Sequence, residues 1–186
     1  MTAHGGTIED NIDETIEAFE DLKKEGVIRY YGISSIRPNV IKQYLEKSSI
    51  VSVMMQYSLL DRRPEEWFSL LKEHNVSVIG RGPLAKGLLT DKWESKLSEE
   101  GYLSYSEDEL RNLLPSIHAE SDLSMTETAL QYCLKQDVVG SIIPGASKIE
   151  QVQANCYAAS ARPLTGEEYI ALQALTKFEK YGQHRS

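Results

Sequence analysis

The strongest constraint in this chain is a repeated alternation of amphipathic helix and short apolar strand. Residues 7–25 read as the first helix. Thr7 stands at its cap and Asp10 in its first turn, where the helix end is positive. Ile8, Ile12, Ile16, Phe19 and Leu22 or Lys23 trace one stripe. Gly26 closes that helix, and residues 27–34, rich in Val, Ile and Tyr, read as a strand. The unit then recurs. Pro38 opens a helix over 38–46, and 50–56 is an apolar strand. A helix over 65–74 follows Pro64, with a strand over 76–80. Ser124 caps a helix over 125–136, followed by a strand over 138–143 and a helix over 148–159. An amphipathic helix over 165–181 comes last.

Short apolar strands between helices belong to a parallel sheet, buried on both faces by those helices. The expected fold class is therefore α/β, with four strand–helix units and a C-terminal helix. Residues 82–122 break the rhythm. They are polar and acidic, with one short helix expected near 106–113, and 92–122 is expected as a long polar loop. Two architectures accommodate serial strand–helix units: an open doubly wound sheet, and an eight-stranded (β/α)8 barrel or part of one. The doubly wound nucleotide fold carries G-x-G-x-x-G after its first strand. Gly5-Gly6 is too early and too short for that, and Gly145-Ala146-Ser147-Lys148 lacks the glycine spacing of a phosphate loop. In a barrel, function gathers at the C-terminal ends of strands.

Bulk composition narrows the class further. The chain has 186 residues, 41% hydrophobic and 26% charged, which suits one globular domain. A net charge of -8, with Lys and Arg scattered among Asp and Glu, argues against a nucleic-acid partner. Cys133 and Cys156 form no C-x-x-C pair and read as small buried or half-buried side chains rather than a disulfide or metal site. His4, His74, His118 and His184 lack the i, i+4 partners of a helical zinc motif. No apolar run approaches the roughly 20 residues of a membrane span, and the N-terminus lacks the basic start and apolar stretch of a signal peptide. A cytoplasmic protein with no membrane partner is the expectation.

The strand ends carry the most distinctive residues. The first ends in Ser34-Ser35, the second in Gln56-Tyr57-Ser58 and the third in Arg81-Gly82-Pro83-Leu84-Ala85-Lys86-Gly87. The fourth ends in Pro144-Gly145-Ala146-Ser147-Lys148, with Gln151 and Asn155 one and two turns into the next helix. Each cluster also has a plain structural reading: Ser34 and Ser35 as helix caps, Gln56 satisfying loose backbone, the Gly-Pro and Pro-Gly pairs as turns. Four polar clusters on successive strand ends make one rim suited to a polar, anionic ligand. Gly145 allows close approach of backbone. Ser147 and Lys148 open a helix whose free N–H groups favour phosphate, and Lys148 adds a point charge. Gln151 and Asn155 share one helix face. The alternative for Lys148 and Gln151 is a solvated surface.

Together these segments resemble the aldo-keto reductase superfamily. Gly26-Val27-Ile28-Arg29-Tyr30-Tyr31-Gly32-Ile33-Ser34 resembles its G-x-I-R-x-x-G-[IV]-S element, and Gln56-Tyr57-Ser58-Leu59 its Q-Y-[SN]-L element. Gly82-Pro83-Leu84-Ala85-Lys86-Gly87-Leu88-Leu89-Thr90 resembles S-P-L-x-x-G-x-L-T. Ile143 through Lys148, with Gln151 and Asn155, resembles I-P-G-[AT]-x-x-x-x-Q-x-x-x-N. The resemblance implies a TIM barrel that reduces carbonyls with NADP(H) and no metal. It implies that Ser34, Ser35 and Gln56 hold the nicotinamide carboxamide and that Pro83, Leu84 and Lys86 line the pyrophosphate beside Gly82. It assigns Ser147, Lys148 and Gln151, next to Gly145, to the adenosine 2′-phosphate, and Asn155 to adenine. An aromatic ring usually stacks on the nicotinamide two residues before the proline; Arg81 stands there in this sequence.

The family's catalytic tetrad is Asp, Tyr, Lys and His. The Tyr protonates the carbonyl oxygen as hydride arrives, and the Lys and His tune and orient it. Of the four, only the His has a counterpart, His4 before Gly5-Gly6. Residues 1–186 are thus expected to form a single incomplete barrel domain, the C-terminal half of a partial TIM (β/α)8 barrel, starting at the end of the fourth barrel strand. The functional expectation is a carbonyl reductase, acting on a small-molecule carbonyl substrate in full-length form, present here as a truncated half inactive alone. The alternative is a non-catalytic NADPH-binding or interaction module, with self-association through exposed barrel edges.

Overall fold

The computed structural model describes residues 12–182. Thr7, Asp10 and the proposed tetrad histidine, His4, lie outside the described residues. Four strands, β1 (Gly32–Ser34), β2 (Ser52–Gln56), β3 (Ser77–Arg81) and β4 (Val139–Ile143), form one sheet in the order β1-β2-β3-β4. Every adjacent pair is parallel. A doubly wound sheet reverses its strand order at a switch point. This sheet never does, so it has the serial order of a barrel arc.

The helices are α1 (Ile12–Lys24), α2 (Pro38–Lys47), α3 (Phe68–Glu73), α4 (Glu107–Ala119), α5 (Met125–Leu134), α6 (Ile149–Ala159) and α7 (Gly166–Leu175). Three start with reciprocal capping boxes. In α5, Glu127 N–H donates to Ser124 Oγ at 3.2 Å, and Ser124 N–H donates to Glu127 Oε2 at 2.8 Å. Ser106 with Glu109, and Thr165 with Glu168, repeat the device for α4 and α7. Gly26, at φ +74°, ends the first helix in the left-handed region.

Several expectations are corrected. The first strand is only Gly32–Ser34 rather than 27–34. Val27 and Ile28 instead give their N–H groups to Leu22 O at 3.0 and 3.3 Å, closing α1. Only one face of the sheet is sealed: Val53, Met55 and Val78 are fully buried, while Met54 and Ile79 on the opposite face are half-buried. Helices cover the first face, and none of the described ones covers the second to the same degree. Within the segment 92–122 the short helix expected near 106–113 is present but longer, so less of the segment is loop than expected. It holds a short 3-10 turn, Trp93–Lys96, and the whole of α4. Leu110, Leu114 and Ile117, at helical spacing, are buried in the core and pull that polar stretch into a helix despite Pro115. The helix over 65–74 begins as a 3-10 turn, Arg63–Trp67. The last helix stops at Leu175 because Arg62 Nη1 takes the carbonyls of Gln173 and Thr176 at 2.7 and 3.2 Å. Cys133 is buried as expected, and Cys156 is exposed.

A buried polar knot ties the layers together. The Glu65 carboxylate accepts from Arg62 Nη2 at 2.9 Å, Tyr132 OH at 2.5 Å and Gln173 Nε2 at 3.3 Å. It thereby links the turn after β2 to α5 and α7. Desolvation pushes the Tyr132 phenol well up, with the Glu65 charge adding to it, so Tyr132 stays a donor.

Candidate functional site

Parallel strands put all four C-terminal ends on one rim. Two of the four clusters converge there on an open cleft of about 860 Å³, a size suited to a small-molecule or cofactor site. Gly82, Leu84 and Lys86 line it from the β3 side, and Gly145, Ser147, Gln151 and Asn155 from the β4–α6 side. The backbone turns sharply between the two. Ala85 and Lys86 both have positive φ, +46° and +58°, a strained conformation of the kind found at ligand sites. It leaves the Lys86 side chain exposed at the cleft.

Gln56 and Arg81 form a second group beside it. Arg81 Nη1 donates to Gln56 Oε1 at 3.3 Å, and Gln56 Nε2 donates to the Tyr102 hydroxyl at 3.1 Å. The carboxamide is thus held with its oxygen toward the cation and its amine toward the phenol. Burial pushes the Tyr102 phenol up, so it remains protonated near neutral pH.

The other expected residues stand apart. Ser34 is exposed at the end of β1. Ser35 Oγ accepts the Arg37 N–H at 3.1 Å, a local turn leading into α2. Pro83 is buried, and the Lys148 side chain points to solvent without lining the cleft.

At the start of α6 the Gln151 side chain folds back. Its Oε1 accepts the Ser147 N–H at 2.7 Å, the Lys148 N–H at 3.2 Å and the Ser147 hydroxyl at 3.2 Å. The amides expected to greet a phosphate are therefore engaged within the chain. One turn on, Asn155 is 8% exposed and lines the same cleft. Its carboxamide has no hydrogen bond among the described residues, and it is not one of their sealed, unpartnered polar groups.

Further lining residues were not singled out from the sequence, Ser95 and Glu150 among them. Lys92, Lys96 and Asp91 line the cleft from the segment after β3, with Thr126 opposite. Asp91 caps α5 by accepting Met125 N–H at 3.0 Å and the Thr126 hydroxyl at 3.1 Å. The run Lys86, Lys92, Lys96 was the available signal: three cations flanking a glycine turn. The donor set suits a dinucleotide with phosphates. The ammonium groups match the anionic part, and the Asn155 carboxamide matches a base edge. Among the described residues, no group of three or more His, Cys, Asp or Glu side chains comes together, and no helix is long and apolar enough to cross a membrane.

Comparison with known proteins identifies the chain's relatives. Residues 2–177 match the sequence model of the aldo/keto reductase family. YqkF of Bacillus subtilis, an uncharacterized oxidoreductase, is 64% identical over 188 residues, which span 98% of this chain and 61% of the relative. The aldo-keto reductase AKR11C1 of Bacillus halodurans, solved in apo and holo forms, superposes with a TM-score of 0.91 at 60% identity. That match covers 98% of this chain and 63% of the apo chain. The L-glyceraldehyde 3-phosphate reductase of Escherichia coli K12 is 28% identical over 169 residues, 79% of this chain and 49% of its own length. The chain thus spans less than two thirds of each of these relatives.

Proposed function

The chain belongs to the aldo/keto reductase family, and from that premise we propose that it carries the NADP(H) site of a carbonyl oxidoreductase. The convergence of the β3 and β4 strand ends on one cleft carries this reading. Lys86, Lys92 and Lys96 offset the pyrophosphate charge there. Ser147, Lys148 and Gln151 take the 2′-phosphate, and Asn155 takes the adenine edge. Ser34, Ser35 and Gln56 hold the nicotinamide carboxamide, Gln56 with its orientation fixed by Tyr102 and Arg81. Arg81, at the place of the usual stacking ring, lies beside the nicotinamide. The holo form of a relative 60% identical to this chain supports a bound cofactor.

The bound cofactor supplies hydride to a small carbonyl substrate. This chain's own residues bind and orient it. His4 is the proposed tetrad histidine. No motif of this sequence matches the tetrad Tyr, and without a proton donor the carbonyl oxygen cannot be neutralised as hydride arrives. We therefore propose that these 186 residues alone bind NADP(H) without turning over.

Two measurements on the purified chain test this. Fluorescence titration is expected to show saturable NADPH binding; no response up to millimolar cofactor defeats the cofactor-site reading. Incubation with NADPH and a reactive aldehyde is expected to give no steady consumption, and sustained turnover defeats the inactivity reading. An interaction module is the second reading. It is favoured by Ile149, Val152 and Tyr157, exposed apolar side chains on α6, and would give association without a cofactor response.

A further inference from the structure

We propose that a second cleft, on the β1–β2 side of the rim, holds a carboxylate carried by the carbonyl substrate. The proposal rests on reading the rim as the place where a nicotinamide cofactor delivers hydride.

This cleft has a volume of about 900 Å³ and shares no lining residue with the β3–β4 cleft. Three parts of the chain wall it. Arg37 comes from the turn after β1, Arg63 from the turn after β2, and Glu179, Lys180 and Tyr181 from the segment after α7. It lies toward the nicotinamide end of the rim. Arg37 follows Ser34 and Ser35 closely in the chain, and the Arg81 charge is felt at the Tyr181 phenol.

The charges on the wall favour an anion. Three cations face one lining carboxylate, Glu179. Two more carboxylates stand behind them. Asp61 is 1% exposed and spends its oxygens on Arg63 Nε and Nη2, both at 2.7 Å, which leaves Arg63 Nη1 for an occupant. Glu66 lies 3.8 Å from Lys180, whose side chain is well exposed, so that pair ties the ammonium down weakly. The Arg37 guanidinium has no hydrogen bond or ion pair among the described residues; only its backbone N–H is engaged, with Ser35 Oγ. A guanidinium fork matches a carboxylate with two parallel hydrogen bonds. With three carboxylates already near, a monoanion fits better than a dianionic phosphate.

Tyr181 points to an occupant independently. It is 6% exposed, its ring lies under the Arg63 guanidinium at 4.7 Å, and its hydroxyl is sealed with no partner. Of the four side chains in that state among the described residues, it is the one that lines either cleft. Burial pushes the phenol well up, so it stays protonated near neutral pH and needs an acceptor. A carboxylate oxygen entering through the cleft supplies that acceptor, while Arg37 and Arg63 Nη1 meet its charge.

The probes are 4-carboxybenzyl alcohol and 4-nitrobenzyl alcohol, which share a shape and differ in charge. Each is titrated calorimetrically at low ionic strength into the NADPH-loaded 186-residue chain, a pairing with no hydride step open to it. The readout is the ratio of dissociation constants, nitro over carboxyl. It is expected to be about tenfold in the parent, the scale of one charge-assisted hydrogen bond. Arg37→Gln, at an exposed position, is expected to bring it within twofold of one. Tyr181→Phe keeps the ring under Arg63 and is expected to lower it about threefold, the scale of one neutral hydrogen bond. NADPH affinity is expected to hold in both variants. A parent ratio near one, or a ratio that survives Arg37→Gln, overturns the proposal. Failure of NADPH to bind overturns the cofactor-site reading instead, and the same titration into the unloaded chain then still decides the carboxylate site.

Discussion

Replacing Glu65 with alanine is expected to destabilise this protein by about 3–5 kcal/mol, the range for breaking one side of a buried ion pair. The size follows from what the carboxylate holds. Its side chain is 11% exposed and that of Arg62 8% exposed, so water can replace little of what is lost. Arg62 Nε and Nη2 would lose their acceptors, at 3.1 and 2.9 Å. The Tyr132 hydroxyl, donating at 2.5 Å, would lose its partner inside the core. For a chain of this length, about 2–4 °C accompanies each kcal/mol, so the melting temperature should fall by about 10 °C. Urea unfolding followed by far-UV circular dichroism at pH 7 measures the change, at constant slope. The double variant Glu65→Ala with Arg62→Met should be less destabilised than Glu65→Ala alone, because it also removes the stranded cation. A loss below about 1 kcal/mol for Glu65→Ala, the range of an exposed pair, would refute the reasoning.

Two further predictions concern the first strand–helix unit. Glu20 is lowered to about 2 from 4.5, chiefly by the Tyr31 hydroxyl and then by the Ser49 hydroxyl and N–H. Because its folded value lies below its unfolded one, its contribution is present above about pH 4.5 and is lost as pH falls toward 2. Glu20→Gln should flatten the acid limb of a stability–pH curve over that window, and an unchanged limb would count against the assignment. Gly32 passes so close to β2 that an added Cβ would sit 2.3 Å from Ser52 Oγ and 2.5 Å from Ser52 O. Gly32→Ala should therefore cost about 2 kcal/mol or more by forcing the strands apart, and an unchanged melting temperature would show that the edge strand yields freely.

Signals carried within one turn were legible in sequence. Ser124 caps α5 as read, its Oγ accepting the Glu127 N–H, and Gly26 stops α1. The rim could be read as well, since a parallel sheet sends every strand end to the same side. It was the longer-range contacts that were not legible. The 27–34 run has strand-forming residues throughout, yet only Gly32–Ser34 forms strand, because pairing needs a neighbour's backbone: the β2 ladder starts at Ser52, with Val51 N–H reaching back only to Tyr31 O at 3.0 Å. The helix expected near 106–113 runs on to Ala119, further than the polar and acidic character of the stretch suggested. The i, i+4, i+7 spacing of Leu110, Leu114 and Ile117 was the better guide.

The sequence by itself determined the alternation of elements, the family and the residue types at each strand end, because these depend on local pattern and motif spacing. Tertiary structure decided where elements stop, which strand ends share a cleft, and how donors at the site are spent. Arg62 ends α7 from more than a hundred residues away. Gln151 was legible as a residue near a helix start that could face a ligand. That its oxygen already occupies the Ser147 and Lys148 donors depends on a side-chain rotation, and only the folded geometry fixes it.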